Sequence, residues 1–339
     1  MQQTSRIALR RRAVFAVAGL ALGLGAAGPA FAQDAFAVGL VPGDITSLAP
    51  RFAQAAGTYA NHRIKAELVT IEGGSRGVQV LLAGKLQAMQ VGFSVAVNAN
   101  REGADLRLIT SSSNVMPMDI YVNSNVKSAA DLKGQKIAVS AFTSESDMAV
   151  SLALQQLKLT RKDVTVVPLG GASQRLAAQV SGQVLAAPYV SPATAMAKER
   201  GLNLLVDLGK DGAPWVFNGL VVSRDVLKSN PDLLKRFVKA NVEGIYKALS
   251  DEKWAREVIA KEFKTTSKAV IDDAYDTLKR FYPRDFTPSA AAVGNVINEV
   301  HTMGPALSSR DVAQYVDLTI VEALRKEGFF EEMKKRYGL

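Results

Sequence analysis

One unit of this sequence occurs twice. The stretch EGGSRGVQVLLAGKLQAMQVG (residues 72–92) reads as a glycine-rich turn, a helix and a short strand. LGGASQRLAAQVSGQVLAAPYV (residues 169–190) says nearly the same. At a constant shift of about 98 residues, Val69 falls on Val167, Gly73 on Gly171, Ser75 on Ser173 and Gly84 on Gly182. Ala88, Gly103 and Leu106 fall likewise on Ala186, Gly201 and Leu204. Solenoid repeats run roughly 20–50 residues, so this period describes two similar α/β halves instead.

The chain around the repeat supports that reading. From Phe36, strand-like runs (AFAVGLV, RIKAELVTI, LQAMQVGF, LRLITSSS) alternate with helical ones. The series restarts at QKIAVS and continues through VTVVPLG, VLAAPYV and LNLLVDLG. Strands separated by helices imply parallel pairing, so each half should carry a central, mostly parallel sheet. Beyond Asn230 the pattern is helical, with apolar residues at Leu233, Leu234, Phe237, Val238, Val242, Ile245 and Leu249. These helices read as scaffolding.

The N-terminus is excluded from the fold. Arg6, Arg10, Arg11 and Arg12 precede the apolar run AVFAVAGLALGLGAAG, and Ala30-Phe31-Ala32 has the pattern of a cleavage site. We read residues 1–32 as a cleavable signal peptide of the Sec type, although Arg11-Arg12 also permits the twin-arginine route. Export from a bacterial cytoplasm follows on either route, and no later segment has the length and apolarity of a membrane span. The formal net charge of +9 falls to about +5 without the four signal arginines. The remaining Lys and Arg are interspersed with Asp and Glu, which speaks against a nucleic-acid surface. The chain has no cysteine, so lipid acylation, disulfides, thiolate metal sites and cysteine nucleophiles are out. We expect no metal and no cofactor.

In an open parallel sheet, ligands bind beyond the carboxyl ends of the strands. Glycine lets backbone approach a ligand there, and the next helix points free N–H groups at the same spot. A double-glycine turn entering a helix is therefore a plausible anion grip, and two such turns could close on one solute. The candidate binding residues are Gly43 and Asp44 after the first strand, and Gly73, Gly74, Ser75 and Arg76 after the second. Ser94 follows the third. Phe142, Thr143, Ser144, Gly171, Ser173 and Arg175 hold the matching places in the second half. Ser146 is a further hydroxyl. Tyr189, Trp215 and Asn218 complete the set, with Phe93 and Phe217 as candidate apolar walls.

VGLVPGD, ELVTIEGGSRGVQVLLAGKLQA, DLKGQKIAVS, DVTVVPLGGASQRLAAQVSGQV and NPDLLKRFVKANVEGIYKAL together resemble the periplasmic solute-binding proteins of ABC transporters. The branch is the NMT1/THI5-like one, which groups sulfonate, nitrate, taurine and thiamine-pyrimidine binders. The resemblance runs from about Phe36 to Leu339. It implies two lobes joined by two crossing strands, here near 119–123 and 217–222, and a cleft that closes on its ligand. Lobe 1 would be 33–118 with 219–339, lobe 2 would be 119–218, and the C-terminal helices would pack mostly on lobe 1. It also implies an inner-membrane ABC permease with its ATPase as partner. From the symmetric placement of Ser75-Arg76 and Ser173/Arg175 at two helix heads we expect a small organic anion, sulfonate- or carboxylate-like, as ligand, and we expect a periplasmic monomer. The family commonly has an acidic residue where this chain has Gln87 and Leu185, which we expect to bear on the pocket edge.

Two other readings compete. A thiamine-pyrimidine biosynthetic enzyme of related fold relies on a site rich in histidine and cysteine, and this chain has only His62 and His301. No H-E-x-x-H or P-loop pattern is present. A periplasmic sensor partner would share the fold and the cleft, and only neighbouring genes would separate it from transport.

Overall fold

The strands of the repeat alternate with helices as their patterning requires. In the first half they are β1 (Asp34–Leu40), α1 (Ala49–Ala56), α2 (Thr58–Asn61), β2 (Ile64–Thr70), α3 (Gly74–Leu82), β3 (Ala88–Gly92), α4 (Phe93–Arg101) and β4 (Leu106–Ser111). In the second they are β5 (Asp119–Val122), β6 (Lys136–Val139), α5 (Glu145–Gln156), β7 (Thr165–Pro168), α6 (Ala172–Val180), β8 (Ala186–Tyr189), α7 (Ala193–Glu199) and β9 (Asn203–Asp207). The computed structural model describes residues 33–210 and 212–339. The expected signal peptide lies outside the described residues. No helix among them is long and apolar enough to cross a membrane.

Two five-stranded sheets result. Their orders are β2-β1-β3-β10-β4 and β7-β6-β8-β5-β9, where β10 spans Asn218–Ser223. The two orders are the same once each strand is matched to its repeat partner. β1 pairs in parallel with β2 and β3, and β6 with β7 and β8. These parallel pairs are joined through helices, the connection that parallel strands need. β10 and β5 run antiparallel to both neighbours in their sheets. Each is the strand that the chain forms on arriving from the other sheet, so each sheet is mixed.

The connections between sheets are 112–118 and 208–217. They pair with one another: Trp215 N donates to Asn114 O at 3.0 Å and Phe217 N to Ser113 O at 3.3 Å. Val115 and Pro214 form an antiparallel bridge. The crossing expected near 119–123 and 217–222 is therefore completed just before β5 and β10.

The remaining helices are α8 (Arg224–Ser229), α9 (Pro231–Ser250), α10 (Glu252–Glu262), α11 (Lys268–Phe281), α12 (Ala290–Met303), α13 (Thr319–Lys326) and α14 (Phe329–Tyr337). α9 opens with proline at its first position, where the missing N–H costs nothing. Its apolar stripe packs on the first sheet, where Phe237 stacks on Phe36 with ring centres 4.1 Å apart. Gly244 lets α9 touch α1, since a Cβ there would lie 2.5 Å from the backbone N of Ala53. α12 packs against α4, and α11 reaches the second half at α7.

Candidate functional site

The site is built from loops at the carboxyl ends of the strands of both sheets. After β1, Gly43 takes φ +82°, a left-handed turn that a side chain would strain. The turn puts Asp44 inside, 7 % exposed, where it accepts from Thr46 N at 2.8 Å and from Asn218 Nδ2 at 2.5 Å. Burial pushes its carboxyl up to about 6, against the pull of those hydrogen bonds. Ile45 N of the same loop donates across the cleft to Ser191 O at 3.1 Å. Ser191 Oγ is buried and has no hydrogen-bond partner among the described residues.

The two double-glycine turns face one another. A Cβ placed on Gly171 would lie 3.7 Å from Glu72 Oε2. In the first turn Gly73 has φ +85°, and Gly74 brings α3 against Val91 and Val95. Ser75 and Arg76 are exposed in the first turn of α3, and Ser173 is exposed in the first turn of α6.

Arg175 is elsewhere. It is 4 % exposed and donates to Gly170 O at 2.8 Å and Pro188 O at 3.1 Å. Burial lowers its guanidinium to about 10. The reason is register. At the shift of 98, Arg76 falls on Gln174, and Arg175 falls on Gly77. One residue turns a helix by about 100°, which carries Arg175 from the exposed side to the packed side. Its counterpart Gly77 is as tightly packed, since a Cβ there would meet Met89 Cε at 2.2 Å.

The other sequence candidates divide the same way. Tyr189, Trp215, Phe93 and Phe217 are core residues, and Asn218 holds the Asp44 loop. Tyr189 Oη donates to Gln179 Oε1 at 2.9 Å. Ser144 caps α5, and its hydroxyl sits 2.9 Å from those of Ser140 and Ser146. Phe142 alone among the described aromatics is open, at 54 % exposure. Thr143 adopts φ +62°, and its N–H donates to Asp147 Oδ2 at 2.8 Å. Gln87 and Leu185 precede β3 and β8, at the ends opposite the cleft. Gln87 Oε1 accepts from Ala37 N at 2.6 Å, which orients the strand start. The expectation that this pair shapes the pocket edge fails on that geometry.

The residue the sequence reading missed is Glu145. It reads as an ordinary acidic residue in a helix first turn, favoured there by the dipole. In the fold its Oε1 accepts from Ser94 N at 2.8 Å and its Oε2 from Trp215 Nε1 at 2.8 Å. Burial pushes this carboxyl up to about 7. No local pattern announces a contact between residues 51 and 70 positions apart.

Both histidines have structural partners. His62 Nε2 lies 2.8 Å from Glu243 Oε1, and His301 Nδ1 accepts from Leu307 N at 3.0 Å. Among the described residues no group of three or more His, Cys, Asp or Glu is placed to hold a metal ion.

Comparison with known proteins agrees with this architecture. The family model described as NMT1/THI5 like matches residues 49–255. The riboflavin-binding protein RibY of Chloroflexus aurantiacus is 27% identical over 155 residues. That match covers 45% of this chain and 44% of RibY, less than half of either. The periplasmic aliphatic sulphonate binding protein SsuA of Escherichia coli superposes with a TM-score of 0.69 at 21% identity, covering 84% of this chain and 92% of SsuA. The desulfurization enzyme DSZB superposes with a TM-score of 0.65 at 18% identity, covering 87% and 99%. At such identities the structural likenesses establish the periplasmic binding protein fold.

Proposed function

The chain belongs to the NMT1/THI5-like family, and from that premise we propose that it is an extracytoplasmic solute-binding receptor. It captures a small organic anion, sulfonate- or carboxylate-like, between its two sheet-bearing halves and delivers it to an ABC permease with its ATPase. The observation that carries the reading is the facing pair of double-glycine turns, Gly73-Gly74 and Gly170-Gly171, with Glu72 and Gly171 in near contact. Lobe 1 is 33–118 with 219–339 and lobe 2 is 119–218, and the protein acts as a periplasmic monomer after removal of residues 1–32.

Arg76 is the cation of this grip, exposed in the first turn of α3 beside the glycine turn. Free N–H groups at the heads of α3 and α6 add donors for an anion. Ser75, Ser173 and the unpartnered Ser191 hydroxyl are the polar contacts, and Phe142 at the rim covers an apolar part. Arg175, Tyr189 and Trp215 support the site from the core.

The fold also carries an enzyme, as DSZB shows, so binding and chemistry must be separated. Two features favour binding: the chain has no cysteine, and both histidines are engaged away from the cleft loops. A thermal-shift panel of alkanesulfonates, carboxylates, amines and neutral sugars tests the ligand class. Stabilisation by sulfonates or carboxylates is the expected result. Stabilisation by amines or sugars alone would overturn the anion assignment.

A further inference from the structure

We propose that Glu145 is the positioning residue that holds the two sheet-bearing halves closed on one another. Its backbone begins α5 in the second half. Its carboxyl accepts from Ser94 N at the head of α4 in the first half, and from the indole N–H of Trp215 in the crossing segment 208–217. One side chain thus joins both halves and the segment about which they would turn. The fit is close: a Cβ on Gly92 would fall 2.4 Å from Glu145 Cγ. Around it, Thr143 O accepts from Asn98 Nδ2 at 3.4 Å, so the same loop touches α4 a second time.

Closure buries this carboxyl, and burial is what raises it from its ordinary 4.5 to about 7. In an opened cleft water reaches the group and its affinity for protons falls back. Closing therefore takes up a proton. The closed form is favoured most below about 4.5, weakens as pH rises toward 7, and levels off above that. Asp44, on the β1 loop, is the charged group of the opposite half that bears on Glu145, and it raises it slightly further. On α5 itself, Asp147 is paired with Arg161 at 2.8 Å. The donors from α4 and the crossing segment, Ser94 and Trp215, are uncharged.

The inference rests on the reading that the halves move as the cleft takes up solute. The chain has no cysteine, so spin labels can be placed at Leu82→Cys on α3 and Val180→Cys on α6 alone. Both positions are about half exposed, at 49% and 53%, one in each half. Distances between the labels are measured by double electron–electron resonance from pH 5 to pH 8. In the otherwise native chain, the ratio of short to long distances should fall up to about tenfold per pH unit between 5 and 7. Glu145→Ala should show the long distance already at pH 5. Glu145→Gln removes the titration but leaves one acceptor oxygen for the two donors, Ser94 N and Trp215 Nε1, so its closed fraction should lie between those of the native chain and Glu145→Ala at pH 5, and Asp44→Asn in that background should leave a flat profile. A native profile flat from pH 5 to pH 8, or an Ala variant with native distances, overturns the proposal. Ethanesulfonate separates it from the anion assignment. If the probe shifts the distances but Glu145 variants do not, the latch fails and the assignment stands. If the variants behave as stated and no probe has an effect, the assignment fails and the latch stands.

Discussion

Arg175 donates its guanidinium hydrogens to the carbonyls of Gly170 and Pro188, and its Cζ lies 5.8 Å from the centre of the Tyr189 ring. It ties the second glycine turn to β8. Arg76, in the exposed first turn of α3, has no such duty. The two arginines therefore predict opposite phenotypes. Arg76→Ala should weaken anion binding about tenfold or more with a melting temperature within about 1 °C of the native chain, because a charge-assisted hydrogen bond is lost and no packing is. Arg175→Ala should cost about 2–4 kcal/mol in denaturant unfolding, because it leaves buried carbonyls unpaired and a cavity behind. Paired titrations and melts of both variants check this. The sequence shows the two turns and their serines plainly. It does not show that one residue of register separates the arginines, since the consequence depends on which face of each helix is packed. Glu145 is hidden for a related reason: its role is a contact made only when both halves are folded.

Elements pack here through glycines whose absence of a side chain is structural. Gly219 in β10 has no room for a Cβ, which would fall 2.1 Å from Thr110 O, a backbone atom that cannot yield. Gly219→Ala should therefore destabilise by about 2–4 kcal/mol, measured by urea denaturation, and a change under about 0.5 kcal/mol would show that β10 and β4 pair more loosely. A second element-scale feature is electrostatic. Asp119 opens β5 beside Asp207 at the end of β9, and burial, then the Asp207 charge, push Asp119 up to about 7. Its ordinary value is 3.8, so its favourable contribution is full below that and is lost as pH rises through about 7. Asp119→Asn should accordingly raise the melting temperature at pH 8 and leave it nearly unchanged at pH 4. The strands themselves were legible from alternation and turn residues. The antiparallel direction of β5 and β10 was not, because direction follows from where the chain arrives and not from local composition.

At the scale of the whole molecule, two sheets of the same strand order are linked by a pair of mutually bonded segments, 112–118 and 208–217. Two thin connections between packed halves are the geometry of hinge closure. The first sheet carries most of the C-terminal helices through one apolar core built on Phe36, Phe52 and Phe237. The repeat made the halves legible in the sequence, and the family resemblance supplied their linkage. What the repeat could not reveal is how the cleft is finished, since Glu145, Ser191 and the Asp44–Asn218 pair lie where the two halves diverge.

As a receptor, this cleft binds a small anion reversibly and releases it unchanged. Native mass spectrometry of the purified protein, followed by denaturation and identification of the released molecule, tests it most directly. The expected result is a one-to-one adduct of a sulfonate- or carboxylate-bearing molecule that rebinds intact to the stripped protein, and that Arg76→Ala retains poorly. A released molecule that the stripped protein converts to a different product, or an adduct without an anionic group, would contradict it.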